Sequence, residues 1–169
     1  DLPFGVRLFG NRDNNQWQYN LGWFRRLEKD TNSGLNDIFR RWRSDDVFVA
    51  NAFRQDWPVL GHTTQATVIY NRNREGSQGD YYDRNGFKIR PAVIGDVRPH
   101  NYDVVYAGVS GDGHFDRWNL STSGYLALGH ASYDPIAQRS QRIFAGMAAA
   151  ELSRDFDWLR VRATGLIRS

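Results

Sequence analysis

Apolar and polar residues alternate with a period of two in segments of about ten residues, and this pattern constrains the fold more than any other feature. The clearest segment is Trp118–Leu128. One row holds Trp118, Leu120, Thr122, Gly124, Leu126 and Leu128, and the other holds Arg117, Asn119, Ser121, Ser123, Tyr125 and Ala127. Because successive side chains point to opposite sides of a strand, this segment is predicted to be a long β-strand with one apolar and one polar face.

Strand-like segments recur along the whole chain. We interpret eight of them as strands: Phe4–Gly10, Trp17–Trp23, Asp46–Arg54, Thr63–Asn71, Tyr102–Ser110, Trp118–Leu128, Gln141–Ser153 and Leu159–Arg168. The short connections, rich in Asp, Asn and Gly as tight turns are, include Asn11–Asn15, Gln55–Val59, Gly111–His114 and Arg154–Asp155. The long polar connections are Glu28–Asp45, Asn73–Asn101 and His130–Ser140. Since short and long connections alternate, we predict an antiparallel up-and-down sheet with hairpins at one edge and large loops at the other.

One segment departs from the period of two. Leu35, Ile38, Phe39 and Trp42 follow the spacing of an amphipathic helix, so we predict a short helix inside a long loop. Arg40, Arg41 and Arg43 would lie on its other side. The helix could form a constriction inside a barrel, cap an outer rim or lie at lipid headgroups, and the sequence leaves these alternatives open.

Composition excludes several classes of protein. Aromatic residues make up 14% of the chain although mean hydropathy is -0.65, which argues against disorder. No stretch approaches the roughly 18 to 20 consecutive apolar residues of a spanning helix. The chain has no cysteine, so disulfides and thiolate metal sites are excluded.

Strand length favours a membrane protein over a soluble one. Soluble strands most often have about five or six residues, whereas a strand that crosses a bilayer needs about 9 to 11. Four tryptophans follow short turns and are predicted to form an aromatic girdle: Trp17, Trp57, Trp118 and Trp158. We therefore predict an all-β, antiparallel, up-and-down transmembrane β-barrel of about eight strands.

Two runs, Gln16–Arg26 and Asp103–Gly108, resemble hairpin strands of bacterial outer-membrane β-barrel proteins. The Arg-rich polar rows are similar to those of alginate-export channels and of the barrels of TonB-dependent receptors. This resemblance implies a bacterial outer membrane, a lipid bilayer as the main partner and short turns on the periplasmic side. The chain lacks the terminal aromatic residue usual in that class, so we expect residues 1–169 to be a single segment of a larger barrel.

Arginine suggests the chemistry of the polar rows. Of the 22 basic residues 20 are arginine. We predict that Arg117, Arg160 and Arg162 line a barrel lumen together with Asn119 and Ser123, and that polar solutes, including anions, pass between them. The alternative is a salt-bridge lattice that fixes the strands and conducts nothing. Its carboxylates would be Asp103, Asp116, Glu151 and Asp157.

Other functions find little support in the sequence. The four histidines have no metal-ligand spacing, and there is no nucleophile-elbow motif, so we predict no enzyme, no metal and no cofactor. Basic residues are interleaved with acidic ones, which argues against nucleic-acid binding. Two alternatives stay open: a structural outer-membrane barrel with partner-binding loops, and a soluble carbohydrate-binding β-domain. The oligomeric state is not specified.

Overall fold

The computed structural model describes residues 3–27, 42–74, 101–134 and 137–169. These residues form eight β-strands, which confirms the all-β prediction and the number of strands. The strands are β1 (Pro3–Arg12), β2 (Trp17–Leu27), β3 (Trp42–Arg54), β4 (His62–Asn73), β5 (Tyr102–Phe115), β6 (Trp118–Asp134), β7 (Arg139–Asp155) and β8 (Arg160–Arg168).

All eight strands belong to one antiparallel sheet, in which each strand pairs with its neighbours in sequence. The up-and-down order is therefore confirmed. The first and last strands lie at opposite ends of the order and the sheet is not closed. The strands are long, with 17 residues in both β6 and β7. Such lengths are well above the usual five or six of soluble sheets.

Four short turns connect the strands at one of their two ends, and we call this end of the sheet the hairpin edge. The turns are 13–16, 55–61, 116–117 and 156–159. Asp13, Asn14 and Asn15 adopt φ angles of 52°, 51° and 68°, a region that Asp and Asn tolerate better than most residues. Asp56 and Asp116 do the same in two other turns, with φ of 55° and 54°. The Asx-rich character of the turns is thus as predicted.

Two of the predicted turns were misplaced. Gly111–His114 lies inside β5 and Arg154–Asp155 lies inside β7. Gly111 and Gly113 of β5 lie under the ring of His62, and a Cβ at either position would strike that ring. Their role is close approach of a side chain, not a turn.

The predicted long loop His130–Ser140 was also wrong. Strand β6 continues to Asp134 and β7 begins at Arg139, so only four residues connect them. Backbone hydrogen bonds extend the ladder through a polar stretch in which the apolar alternation has ended. The opposite edge, where β2–β3, β4–β5 and β6–β7 connect, is called the loop edge.

The predicted helix over Leu35–Trp42 falls outside the described residues, except for its last residue. Trp42 begins β3 instead, and no helix occurs in the described part of the chain. The proposed constriction falls largely outside as well. Arg40 and Arg41 are not described, and Arg43 is described only as a backbone position of β3.

The register places the two alternating rows on opposite faces of the sheet, which we call the apolar face and the polar face; the polar face also carries apolar side chains such as Val49, Ile69 and Met147. One row of consecutive cross-strand partners on the apolar face is Leu21, Ala50, Val68, Ala107, Leu126 and Gly146. The corresponding row on the polar face is Asn20, Asn51, Thr67, Gly108, Tyr125 and Met147. The alternation in the sequence therefore corresponds to two real faces of one sheet.

The apolar face is open in the described structure. Leu8, Leu126 and Val161 expose 61%, 49% and 56% of their surface. Among the described residues the only buried large apolar side chain is Val104, and it lies on the polar face. No second layer covers the apolar face within residues 3–27, 42–74, 101–134 and 137–169.

Candidate functional site

Polar side chains on the polar face bond to one another across neighbouring strands. Arg7 Nε donates to Asn20 Oδ1 at 3.0 Å between β1 and β2. Asn51 Nδ2 donates to Thr67 Oγ1 at 2.7 Å between β3 and β4. These cross-strand bonds fix side-chain positions on a surface that apolar packing does not organise.

The densest polar group lies on β5–β8 near the hairpin edge. It surrounds a cleft of about 490 Å³. The polar side chains in its lining are those of Asp112, His114, Asn119, Ser121, Glu151, Ser153 and Arg160. Because these residues alternate with apolar ones along their strands, all of them reach the same face. We take this cleft as the candidate functional site.

A chain of hydrogen bonds crosses the cleft. His114 Nδ1 lies 2.6 Å from Asn119 Oδ1, and Asn119 Nδ2 donates to Asp155 Oδ2 at 3.0 Å. Arg160 completes the chain by donating from Nη2 to the same carboxylate at 3.0 Å, with a second bond from Nε. Since an amide oxygen only accepts, His114 must carry a proton on Nδ1. In the neutral ring, Nε2 then carries no proton and is the nitrogen that can accept a hydrogen bond.

A second network lies beside the first on β7 and β8. Arg162 Nε is 3.1 Å from Glu151 Oε1, and Thr164 Oγ1 donates to Glu151 Oε2 at 3.3 Å. The register explains these contacts, because Glu151 is the direct cross-strand partner of Thr164. Arg162 reaches it diagonally from its position opposite Ser153.

The structure brings together some of the predicted lining residues and separates others. Asn119 and Arg160 line the cleft, and Arg162 lies beside it through its ion pair with Glu151. Ser123 is on the same face but further along β6, opposite Ser110 and Ala149. It is therefore on the predicted face without contributing to the cleft.

The placement of Arg117 on a strand row was wrong. Strand β6 begins one residue later, and Arg117 lies in the turn 116–117, where it pairs with Asp157 at 3.3 Å. The alternation of Trp118–Leu128 was extended by one residue too many, since nothing in the pattern marks where the ladder ends.

Each of the three predicted lining arginines is paired with a carboxylate. The pairs are Arg117–Asp157, Arg160–Asp155 and Arg162–Glu151. Two of these carboxylates were among the predicted partners, and Asp155 was missed because Arg154–Asp155 was interpreted as a turn. Correct placement of that turn would have put Asp155 directly opposite Arg160.

A row of ionisable residues on the apolar face was also missed. Its members are consecutive cross-strand partners near the loop edge: Arg25, Asp46, Arg72, Asp103, His130 and Arg142. Asp46 accepts from Arg25 Nε at 2.7 Å and from Trp23 Nε1 at 2.9 Å. Tyr70 Oη donates to Asp103 at 2.9 Å. The sequence contained a signal for this row, because an ionisable residue lies beyond the apolar residues of each of these strands at the loop edge.

The four tryptophans of the predicted girdle all lie at the hairpin edge. Trp17 and Trp118 begin β2 and β6, and Trp57 and Trp158 lie in the turns that follow β3 and β7. Trp158 is 85% exposed, and Trp17, Trp57 and Trp118 are about half as exposed, at 39%, 46% and 42%.

No protein-family model, curated protein or solved structure matches this chain. None of the described residues forms a helix that is long and apolar enough to cross a membrane. In the same residues, no three His, Asp or Glu side chains are grouped so that they could hold a metal ion.

Proposed function

We propose that the chain forms part of the wall of a transmembrane β-barrel in a bacterial outer membrane. Its apolar face contacts lipid, and its polar face lines an interior through which small polar solutes pass. The observation that carries the proposal is the continuous apolar face of a single-layered sheet, which no described residue covers. Lipid is the medium in which such a face has its lowest free energy.

The size of the face makes water an unfavourable neighbour. Exposed apolar surface costs roughly 25 cal/mol per Å², and soluble monomers rarely expose a continuous patch larger than a few hundred Å². Here the apolar row crosses six strands, and its members Val68 and Leu126 are 46% and 49% exposed.

The dimensions of the apolar band suit a bilayer. From Leu120 to Leu128 there are eight strand steps, which at about 3.4 Å each give about 27 Å. A tilt of about 35–45° reduces this height to about 21 Å, near the roughly 25 Å of known barrel bands. Trp118 and His130 border the band at its two ends on this strand.

Backbone pairing supports a barrel as well. Each inner strand is paired on both sides except along residues 139–145 of β7, so the unpaired edges among the described strands are β1, β8 and that part of β7. In lipid these edges must be paired, since unsatisfied backbone groups cost several kcal/mol each. Further strands of a larger barrel would supply that pairing.

The charges on the polar face bear on the class of solute. Arg160 and Arg162 are each compensated by a carboxylate, so they do not form a ring of unpaired cations. A compensated lattice leaves a polar, hydrogen-bonding surface with a small net field, whereas anion pores use rings of unpaired Arg or Lys. We therefore propose passage of polar solutes with little preference for anions.

The pairing of all three arginines also favours a second candidate function, a structural barrel whose interior is filled. Planar-bilayer conductance of the intact protein separates the two candidates. Steady channel currents are expected for a passage, and a silent bilayer would favour the structural barrel.

Flotation with lipid vesicles tests the membrane proposal itself. The refolded chain is expected to float with the vesicles, and its gel mobility is expected to change on heating, as for barrels that stay folded in detergent. A chain that is folded and monomeric in buffer without detergent would contradict the proposal.

A further inference from the structure

Two arginines on the apolar face at the hairpin edge each lie close to two aromatic rings. The guanidinium carbon of Arg54 lies 4.7 Å from the ring centre of Trp17 and 5.8 Å from that of Trp57. That of Arg154 lies 5.1 Å from the ring centres of both Trp118 and Phe156. We call these groups the Arg54 clamp and the Arg154 clamp.

The two clamps are built in the same way. In each, the first residue of a strand is a tryptophan and the arginine is its direct partner on the next strand, as Trp17 pairs with Arg54 and Trp118 with Arg154. The second ring follows the arginine by two or three residues. The arrangement therefore recurs four strands further along the sheet.

Neither arginine has a carboxylate partner among the described residues. Arg160 and Arg162 on the polar face form ion pairs, but Arg54 and Arg154 form none. Stacking on a ring occupies the face of a guanidinium and leaves its N–H groups at the edge available. These donors have the planar geometry that binds phosphate oxygens in pairs.

The Arg54 clamp also contains a cleft of about 150 Å³. Trp17, Trp57 and Arg54 form its sides, and the small residues Ala52 and Ala66 contribute to its lining. Trp57 is positioned by backbone hydrogen bonds of the turn. Its backbone N–H donates to His62 O at 3.0 Å, and its backbone carbonyl accepts from Thr64 Oγ1 at 2.8 Å. The cleft therefore combines a positive charge with an apolar floor.

We propose that each clamp binds the phosphate of a phospholipid headgroup in the leaflet at the hairpin edge, and that the Arg54 clamp binds more tightly. This inference rests on the proposed membrane location. We favour a phospholipid over inorganic phosphate as the occupant, because the alanine-lined cleft of the Arg54 clamp would add the burial of an apolar part to the contact with the phosphate. Since neither guanidinium forms an ion pair with a carboxylate of the described residues, an anion is its complementary charge.

Native mass spectrometry of the full chain, refolded in mild detergent and titrated with phosphatidylglycerol, tests the proposal. Two lipids are expected to remain bound at low lipid concentration. Arg54→Gln should weaken one site about tenfold, Arg154→Gln should weaken the other, and the double variant should retain neither. Arg54→Lys keeps the charge but loses the planar fork, so an intermediate loss is expected.

Arg117→Gln is the matched control, since Arg117 lies at the same edge but pairs with a carboxylate. It should leave both lipids bound, and inorganic phosphate at millimolar concentration should not displace them. Unchanged lipid retention in the double variant, or displacement by inorganic phosphate, would overturn the inference while vesicle flotation stays intact. A chain that fails to float would overturn the inference and the membrane proposal together.

Discussion

Four arginines near the hairpin edge have different partners on the two faces of this sheet. On the polar face, Arg160 and Arg162 bind carboxylates. On the apolar face at the hairpin edge, Arg54 and Arg154 make cation-π contacts with aromatic rings instead. The proposed barrel wall, with water on one face and lipid on the other, would account for this difference, because a carboxylate needs water or a cation, whereas an aromatic ring is also stable beside hydrocarbon.

Arg25 at the loop edge combines both types of partner. It binds Asp46 through two hydrogen bonds of 2.7 Å, and its guanidinium lies 5.7 Å from the ring centre of Trp23. Asp46 is only 5% exposed. The three arginines compared on the apolar face, Arg25, Arg54 and Arg154, thus all lie near the ends of their strands and beside an aromatic ring, and Arg25 also has a counter-charge.

The largest effect is expected when an arginine is placed in the middle of the apolar face. Leu126→Arg puts a cation between Ala107 and Gly146, in a cross-strand row that holds no carboxylate. We expect the free energy of unfolding in vesicles to fall by about 2–4 kcal/mol. Ser123→Arg on the polar face of the same strand should cost less than about 1 kcal/mol. Denaturant titrations in vesicles measure both, and equal losses would contradict the assignment of the faces.

The next largest loss of stability is expected when Arg25 loses its carboxylate partner. Asp46→Asn removes the counter-charge and weakens bonds from Arg25 and Trp23, so stability should fall by about 1–3 kcal/mol. Asp13→Asn is the control, because Asp13 lies in an exposed turn at a φ that Asn tolerates equally. It should change stability by less than about 0.5 kcal/mol. A loss at Asp13 as large as at Asp46 would show that Asp46 has no special role.

A smaller effect is expected when an aromatic partner is removed. Trp17→Ala takes one ring from Arg54 and should cost about 1 kcal/mol. Trp158→Ala removes a ring that is 85% exposed, so it should cost less than about 0.5 kcal/mol. Thermal unfolding in detergent compares the two variants. A larger loss of stability in Trp158→Ala than in Trp17→Ala would show that the contact between Trp17 and Arg54 contributes little.

The smallest effect sharpens the account of the polar face. Asp155→Asn leaves Arg160 without its counter-charge, so the ratio of anion to cation permeability should rise roughly twofold. Arg160→Gln should shift that ratio toward cations by removing the positive partner. Reversal potentials in a salt gradient measure both changes. No shift in either variant, with conductance intact, would place this cleft away from the path of the solute.

The sequence was a good guide to the faces and a poor guide to the ends of strands. The period of two predicted eight strands, their order and the apolar row that contains Leu126, because side-chain alternation follows from backbone geometry. It misplaced the turn at Arg154–Asp155 and the loop His130–Ser140. A hydrogen-bond ladder continues through polar residues as readily as through apolar ones, so alternation does not mark where a strand stops.

The candidate site was predicted only in part for the same reason. Asn119, Arg160 and Arg162 were predicted because they lie on clear polar rows. Asp155 was missed because its pairing with Arg160 depends on the exact register across the turn. The aromatic clamps depend on contacts between neighbouring strands, which a pattern along one strand does not contain.

Site-specific labelling along β6 tests the central claim most directly, and the absence of native cysteine makes single-cysteine variants unambiguous. Fluorophores would be attached in vesicles at four positions, Ser121, Ser123, Leu126 and Leu128. The account predicts that brominated lipids quench the label at Leu126 and Leu128, and that a water-soluble quencher reaches it at Ser121 and Ser123. Quenching by lipid at all four positions, or by the aqueous quencher at all four, would contradict a sheet with one face in lipid and the other in water.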